Sequence, residues 1–218
     1  MYKSNKNIRN GERMKKYNLQ DEYLAVIDEF GSFEDYTFFE HLKSREIIIN
    51  QQIDDTIVER AIMQIIKWNQ EDSNIPIKIY LNTVGGDLFL GMVLCEVIQK
   101  SKIPVHVYIL GMAASMGALI AIAGHKTYAY EYSNILLHDG STVLQGTSNK
   151  VKDTVKFYEE KDEQIKNFIL NNTKISEEKY DEMADREWWM TAKTAKELGI
   201  IDEIISSNQI VKRDDGFE

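Results

Sequence analysis

With 218 residues, 43% of them apolar and 28% charged, the chain has the length of one domain able to bury a substantial core, which excludes disorder throughout. A net charge of −9 argues against a nucleic-acid partner or an anionic-membrane surface, because phosphate binding draws on clustered Lys and Arg. The single cysteine, Cys95, excludes an intrachain disulfide and gives no sign of an oxidising compartment.

The charge is uneven. Residues 1–17 carry +5 and the remainder −14. A polar, aperiodic, basic start reads as a flexible arm over residues 1–20, followed by a single domain over 21–218. The arm lacks the apolar stretch of a secretory signal, and the expected setting is cytoplasmic.

From Asp21 to Leu42 weakly periodic apolar and aromatic residues predict a helix within an irregular lead-in. "EIIIN" is a short strand. Ile57, Val58, Ala61, Ile62, Ile65 and Ile66 then recur at helical spacing, with Asp54 or Asp55 placed to cap the start. "IPIKIYLN" (75–82) predicts the next strand, and "GDLFLGMVLCEVIQKS" a helix apolar nearly all round. Cys95 falls among its apolar residues, as a buried structural thiol does. The order repeats with a strand over Val105–Leu110, a turn at Gly111 and a helix over Ala113–Ala123. Strand, helix, strand, helix with short turns implies parallel strands joined by crossovers. Pro76 and Pro104, the only prolines, fall at strand starts.

Residues 107–124, "VYILGMAASMGALIAIAG", carry no charge and approach the length of a membrane span. The β-branched and aromatic first part, the glycine and the helix-forming second part instead predict a buried strand, turn and helix. No membrane partner is expected. "KTYAYEYS" and "NILLHDG" add two strands. Asn149–Asn172 forms a long amphipathic helix with a stripe through Val151, Val155, Tyr158, Ile165, Phe168 and Ile169. A short helix, Thr191–Leu198, ends at Gly199 and leads into the strand "IIDEII".

Within "GMAASMGA" (111–118) one hydroxyl, Ser115, stands among small residues in the first turn of a helix that follows a strand. That placement exposes the side chain at the carboxyl end of the strand and aims unpaired helical N–H groups at whatever binds there. The alternative use of such a serine is as a small residue where helices pack closely. "LNTVGGDL" (81–88) is a second strand-to-helix turn, and the two could face one pocket, with Gly86 N–H and Met116 N–H as paired oxyanion donors. No Gly-Lys-Ser/Thr follows the glycines, so the chain itself is expected to bind no nucleotide. His138, at a strand end beside a turn, is the best-placed base. His106 lies inside a strand, and His125 follows a helix end, where a cation suits the dipole. The orienting carboxylate is Asp139, Asp185 or Glu187. His41, His106, His125, His138 and Cys95 show no metal-ligand spacing, and no metal or cofactor is expected.

The residues "GMAASMGA", the glycine pair after a strand ending in Asn, "LLHDG" and "WWMTAKTAKELGIID" resemble ClpP, the proteolytic subunit of the ATP-dependent Clp protease, over about Leu42–Ile205. The resemblance implies an α/β ClpP/crotonase fold of repeated β-β-α units with a protruding handle helix at Asn149–Asn172. It implies a homo-oligomer of stacked heptameric rings enclosing a chamber, fed with protein by an AAA+ Clp ATPase. By position it makes Ser115 the nucleophile, His138 the general base, Gly86 and Met116 the oxyanion donors, and Glu187 the acid, with Asp185 as alternative.

Departures from the family pattern are Glu187 in place of an aspartate, Thr83 and Val84 in place of Ser-Pro, and Asp139 and Gly140 in place of Gln-Pro. Asp139 could raise the pKa of the base or compete for its proton. No axial loop for the unfoldase is recognisable near the N-terminus. The leading expectation is a serine endopeptidase subunit acting on peptides and proteins. A weakly active or inactive structural subunit beside an active paralogue is the second. A crotonase-type acyl-CoA enzyme, with Asp87 as the one carboxylate beside the glycines, is the third.

Overall fold

The computed structural model describes residues 31–71 and 73–206. The expected basic arm lies outside them. The chain divides into two units, one ending at His41 and the other beginning at Leu42. Helix α1 (Phe33–Lys43) begins at Ser32, whose hydroxyl accepts from Asp35 N at 3.0 Å and donates to Asp35 Oδ2 at 2.8 Å.

The second unit opens with β1 (Glu46–Ile49) and α2 (Asp55–Trp68). Of the two candidate caps it is Asp54 that serves, its Oδ1 accepting from Ile57 N at 2.9 Å. The apolar stripe buries Ile57, Val58, Ala61, Ile65 and Trp68, while Ile66 faces out. β2 (Ile77–Thr83) alternates fully buried Ile77, Ile79 and Leu81 with half-buried residues, as a strand covered on one face does. α3 (Leu88–Gln99) is capped by Asp87 Oδ1 on Leu90 N at 2.9 Å. It encloses Cys95, whose thiol is pushed well above its ordinary range by burial.

β3 (Val105–Ala114) runs longer than its sequence pattern predicts. Its first part pairs with β2 and with β4 (Lys126–Tyr130), and Met112–Ala114 then pair with β5 (Asn134–Leu137). Gly111 is therefore no turn. It is where the strand changes partner against the Asn82 side chain: Asn82 Oδ1 accepts from Met112 N at 3.0 Å, and a β-carbon on Gly111 would stand 3.0 Å from that same oxygen. α4 (Met116–Ala123) is buried over its whole length, which accounts for the uncharged run without a bilayer. No helix among the described residues is long and apolar enough to cross a membrane. Burial of each large aliphatic side chain of this core contributes about 1.5–3 kcal/mol.

α5 (Ser148–Asn172) buries only Ile169 fully, with Ile165, Phe168 and Leu170 packed on the core at its C-terminal half. Val155 and Phe157, on the other half, are exposed. Two elements that the sequence reading passed over follow: α6 (Glu177–Met183) and β6 (Trp188–Thr191). The expected last helix is α7 (Ala192–Glu197), with Thr191 as its cap, and the last strand is β7 (Glu203–Ile205). The strand order is β1-β2-β3-β4-β7, all parallel; β5 joins β3 in parallel and carries β6 antiparallel at its far side. This mixed α/β architecture agrees with the fold expected from the sequence.

Candidate active site

Ser115 lies between the last residue of β3 and the first of α4, rather than within the first helical turn. Its backbone takes φ 54° and ψ −122°, one of only three positive-φ non-glycine residues described. An L-residue held there stores strain of about 1–3 kcal/mol. The strain is over-determined by its surroundings. Ser115 N donates to Leu136 O at 2.9 Å, and Ser115 O accepts from Ala118 N at 2.9 Å, so the strand ladder and the first helical turn meet on this residue. A strained strand-to-helix junction that lifts a serine hydroxyl above the sheet is the geometry of a nucleophile elbow.

The second turn lies against the first. A β-carbon on Gly85 (φ 98°) would stand 2.7 Å from Ser115 Cβ and 2.7 Å from Ala114 O, so only glycine permits this approach. Thr83 holds the turn by accepting from Gly85 N through Oγ1 at 3.1 Å. Ile53 then forms a parallel bridge around Gly86: Ile53 N donates to Gly85 O and Asp87 N donates to Ile53 O, both at 2.9 Å. A parallel bridge uses the groups of the flanking residues, so the N–H of Gly86 itself points away from Ile53. The first N–H of α4, on Met116, has no carbonyl one turn earlier to receive it. Among the described residues neither N–H has an acceptor.

Both turns border one cavity of about 530 Å³, lined by Gly86, Ser115, Met116, His138 and Asp139 among others. Ser115, the expected base His138 and both expected oxyanion donors thus border the same cavity. Ser115 is half-buried and His138 exposed at the end of β5, and among the described residues neither side chain has a hydrogen-bond partner. Asp185 and Glu187 are outside the lining. Glu187 Oε2 accepts from Trp189 Nε1 at 3.2 Å, and Asp185 N donates to Asp139 Oδ2 at 2.7 Å. The β5–β6 register nevertheless relates His138 to Glu187. Its pairs end at Leu137↔Trp188, and one more step would set these two residues opposite each other on one face.

Sequence reasoning missed a further part of the cavity lining, where Tyr158 and Asp162 come from α5 and Tyr180 and Met183 from α6. Ser176 before Glu177 and Glu178 was the available signal for α6, a capping residue followed by an acidic first turn. Among the described residues no Lys or Arg lines the cavity. Burial, with the Asp139 and Glu159 carboxylates nearby, holds the Asp162 carboxyl above its usual range. Tyr180 is raised in the same way, by burial first and then by the charges of Asp139 and Asp162.

The remaining histidines have other surroundings. His125 Nδ1 accepts from Val105 N at 3.1 Å, which ties the ring to the start of β3. His106 lies beside Tyr128 on the sheet, and burial lowers its pKa. No group of three His, Cys, Asp or Glu among the described residues is arranged to hold a metal ion.

Parallel strands feeding two apposed strand-to-helix turns, one of which carries a strained serine, define an α/β protein with an elbow-like junction. Comparison with known proteins is more specific. The Clp protease family model matches residues 31–208. The chain is 31% identical over 170 residues to the ATP-dependent Clp protease proteolytic subunit 2 of Corynebacterium diphtheriae, covering 77% of this chain and 85% of that one. Subunits of the same name from Corynebacterium efficiens and Rhodococcus jostii are each 29% identical over 167 residues, covering 76% of this chain and 84% and 86% of theirs. The chain belongs to the Clp protease family.

Proposed function

We propose that the chain is a serine endopeptidase subunit in which Ser115 is the nucleophile, His138 the general base and Glu187 the orienting acid. The observation that carries this reading is the strained backbone of Ser115 beside two N–H groups that have no acceptor among the described residues, all bordering one cavity. Ser115 Oγ attacks the scissile carbonyl while the His138 imidazole takes the hydroxyl proton. The carbonyl oxygen, now an anion, receives Gly86 N–H and Met116 N–H. The C–N bond breaks as His138 returns the proton to the leaving amine, and water then attacks the acyl-enzyme by the same route. His138, exposed where β5 ends, closes onto Ser115 when substrate binds; such contacts are commonly looser in empty sites.

Family membership supports placing this chemistry inside stacked heptameric rings in the cytoplasm, with α5 as the handle between rings and an AAA+ Clp ATPase delivering unfolded chains. The exposed Val155 and Phe157 on α5 suit such an interface. Asp87 is already engaged as the cap of α3, which counts against the acyl-CoA reading, where a carboxylate beside the glycines would act as acid or base.

A second reading, a weakly active subunit working beside an active paralogue, is favoured by the engagement of Glu187 with Trp189 instead of His138. Intact mass after exposure to a fluorophosphonate separates the two. One adduct that vanishes in Ser115→Ala is expected. No adduct on an assembled wild type would overturn the peptidase reading in favour of the second.

A further inference from the structure

Beyond Leu137↔Trp188 the β5–β6 ladder has no further backbone pairs, yet the base and the proposed acid both lie just past that point. His138, Asp139 and Gly140 are exposed and outside any helix or strand, as are Asp185, Arg186 and Glu187 on the opposite segment. Two chain segments leaving the end of an antiparallel ladder splay unless something ties them. Here the tie is one hydrogen bond across 46 residues, from Asp185 N to Asp139 Oδ2 at 2.7 Å. A carboxylate accepting a backbone N–H is among the stronger protein hydrogen bonds. Asp185 adopts φ 60° at this point, a conformation that an Asp tolerates better than most residues.

We propose that Asp139 is a positioning residue that clasps the end of the β5–β6 ladder and thereby keeps His138 across from Glu187. The clasp takes the place of the backbone pairs that the ladder would otherwise supply. It works by tethering and not by charge on the imidazole, so an amide side chain should replace the carboxylate. It also gives Asp139 a task separate from that of the acid itself, since the Asp139 carboxylate accepts from the main chain of the opposite segment and not from His138. The inference rests on the peptidase reading for its catalytic consequence and on the structure alone for the clasp.

Two readouts on the full-length assembled protein test it, with Asp139→Ala, which removes the acceptor, beside Asp139→Asn, which keeps one. Amide hydrogen exchange over residues 184–187 is expected to quicken at least about tenfold in Asp139→Ala and much less in Asp139→Asn. Fluorophosphonate labelling of Ser115 and kcat on a short peptide are expected to fall about tenfold in Asp139→Ala with KM little changed, and to recover most of the way in Asp139→Asn. Unchanged exchange in Asp139→Ala overturns the clasp, whatever the activity. Quickened exchange with wild-type labelling and kcat overturns its role in positioning. Equal losses in both variants would show that the charge matters and not the tether, which also overturns it. A wild type that never labels overturns the peptidase reading and the catalytic consequence with it, an outcome distinct from the others because exchange still reports the clasp.

Discussion

Gly91, at the end of the first turn of α3, packs against Met116: a β-carbon there would stand 2.2 Å from Met116 Cγ and 2.4 Å from its sulfur. Met116 is 2% exposed, and its N–H is one of the two proposed oxyanion donors. Gly91→Ala, a change that favours helix by propensity alone, is therefore expected to destabilise the protein by about 1–3 kcal/mol through overpacking. It should also slow Ser115 labelling by at least about tenfold, because the donor moves with its side chain. Urea denaturation beside fluorophosphonate labelling checks both; a variant of raised stability and full labelling would show that Met116 repacks freely.

Ser115 separates strain from chemistry. Ser115→Ala keeps the β-carbon that makes φ 54° unfavourable, whereas Ser115→Gly removes it. Both should fail to form the fluorophosphonate adduct. Ser115→Gly should nevertheless be more stable than Ser115→Ala by about 1 kcal/mol, measured by denaturation at matched protein concentration. Equal stabilities would mean that the junction holds no strain.

Asp162 carries a pH dependence whose sign can be worked out. Its carboxyl is held above the usual range by burial and by the Asp139 and Glu159 carboxylates, so the folded protein binds its proton more readily than the unfolded chain. Its contribution to stability is fully present below its unfolded pKa and is lost as pH rises through the raised folded value. Asp162→Asn should thus leave stability unchanged at strongly acid pH and raise it near neutrality. The residue is only partly desolvated and largely exposed, so screening limits the gain to no more than about 0.5 kcal/mol. A variant less stable than wild type at neutral pH would show that the carboxylate has a favourable partner in the assembly.

Phe157, exposed on the outer half of α5 and stacked on Phe89 with centroids 6.0 Å apart, tests the proposed handle. Phe168 is the poorer probe, because it packs on the chain's own core and a charge there would disturb the fold directly. Phe157→Glu is expected to leave the circular dichroism spectrum intact and to shift sedimentation toward single rings or monomers. An unchanged large assembly would count against α5 as the joint between rings.

Much of the candidate site was nameable from the chain because the proposed residues sit in local signals. A serine among alanines and glycines at a strand-to-helix junction, and a glycine pair at the next such junction, are short-range patterns whose meaning depends on neighbours a few residues away. What escaped depended on distant residues. The partner switch of β3 at Gly111 follows from Asn82, and the short strand Trp188–Thr191 exists because β5 offers it an edge. Propensity over four residues carries too little weight to announce such a strand without its partner.

The sequence by itself determined the alternation of strands and helices, the burial of the uncharged run around Ser115, and which serine and histidine stand at strand ends. Period and turn chemistry decide these before any long-range contact forms. Only the tertiary structure decided that Gly85 presses on Ser115 Cβ, that Gly86 turns its N–H away from Ile53, and that Asp139 reaches Asp185. Those relations join residues from about 30 to nearly 50 positions apart, and their distances are set by how the sheet is packed and registered.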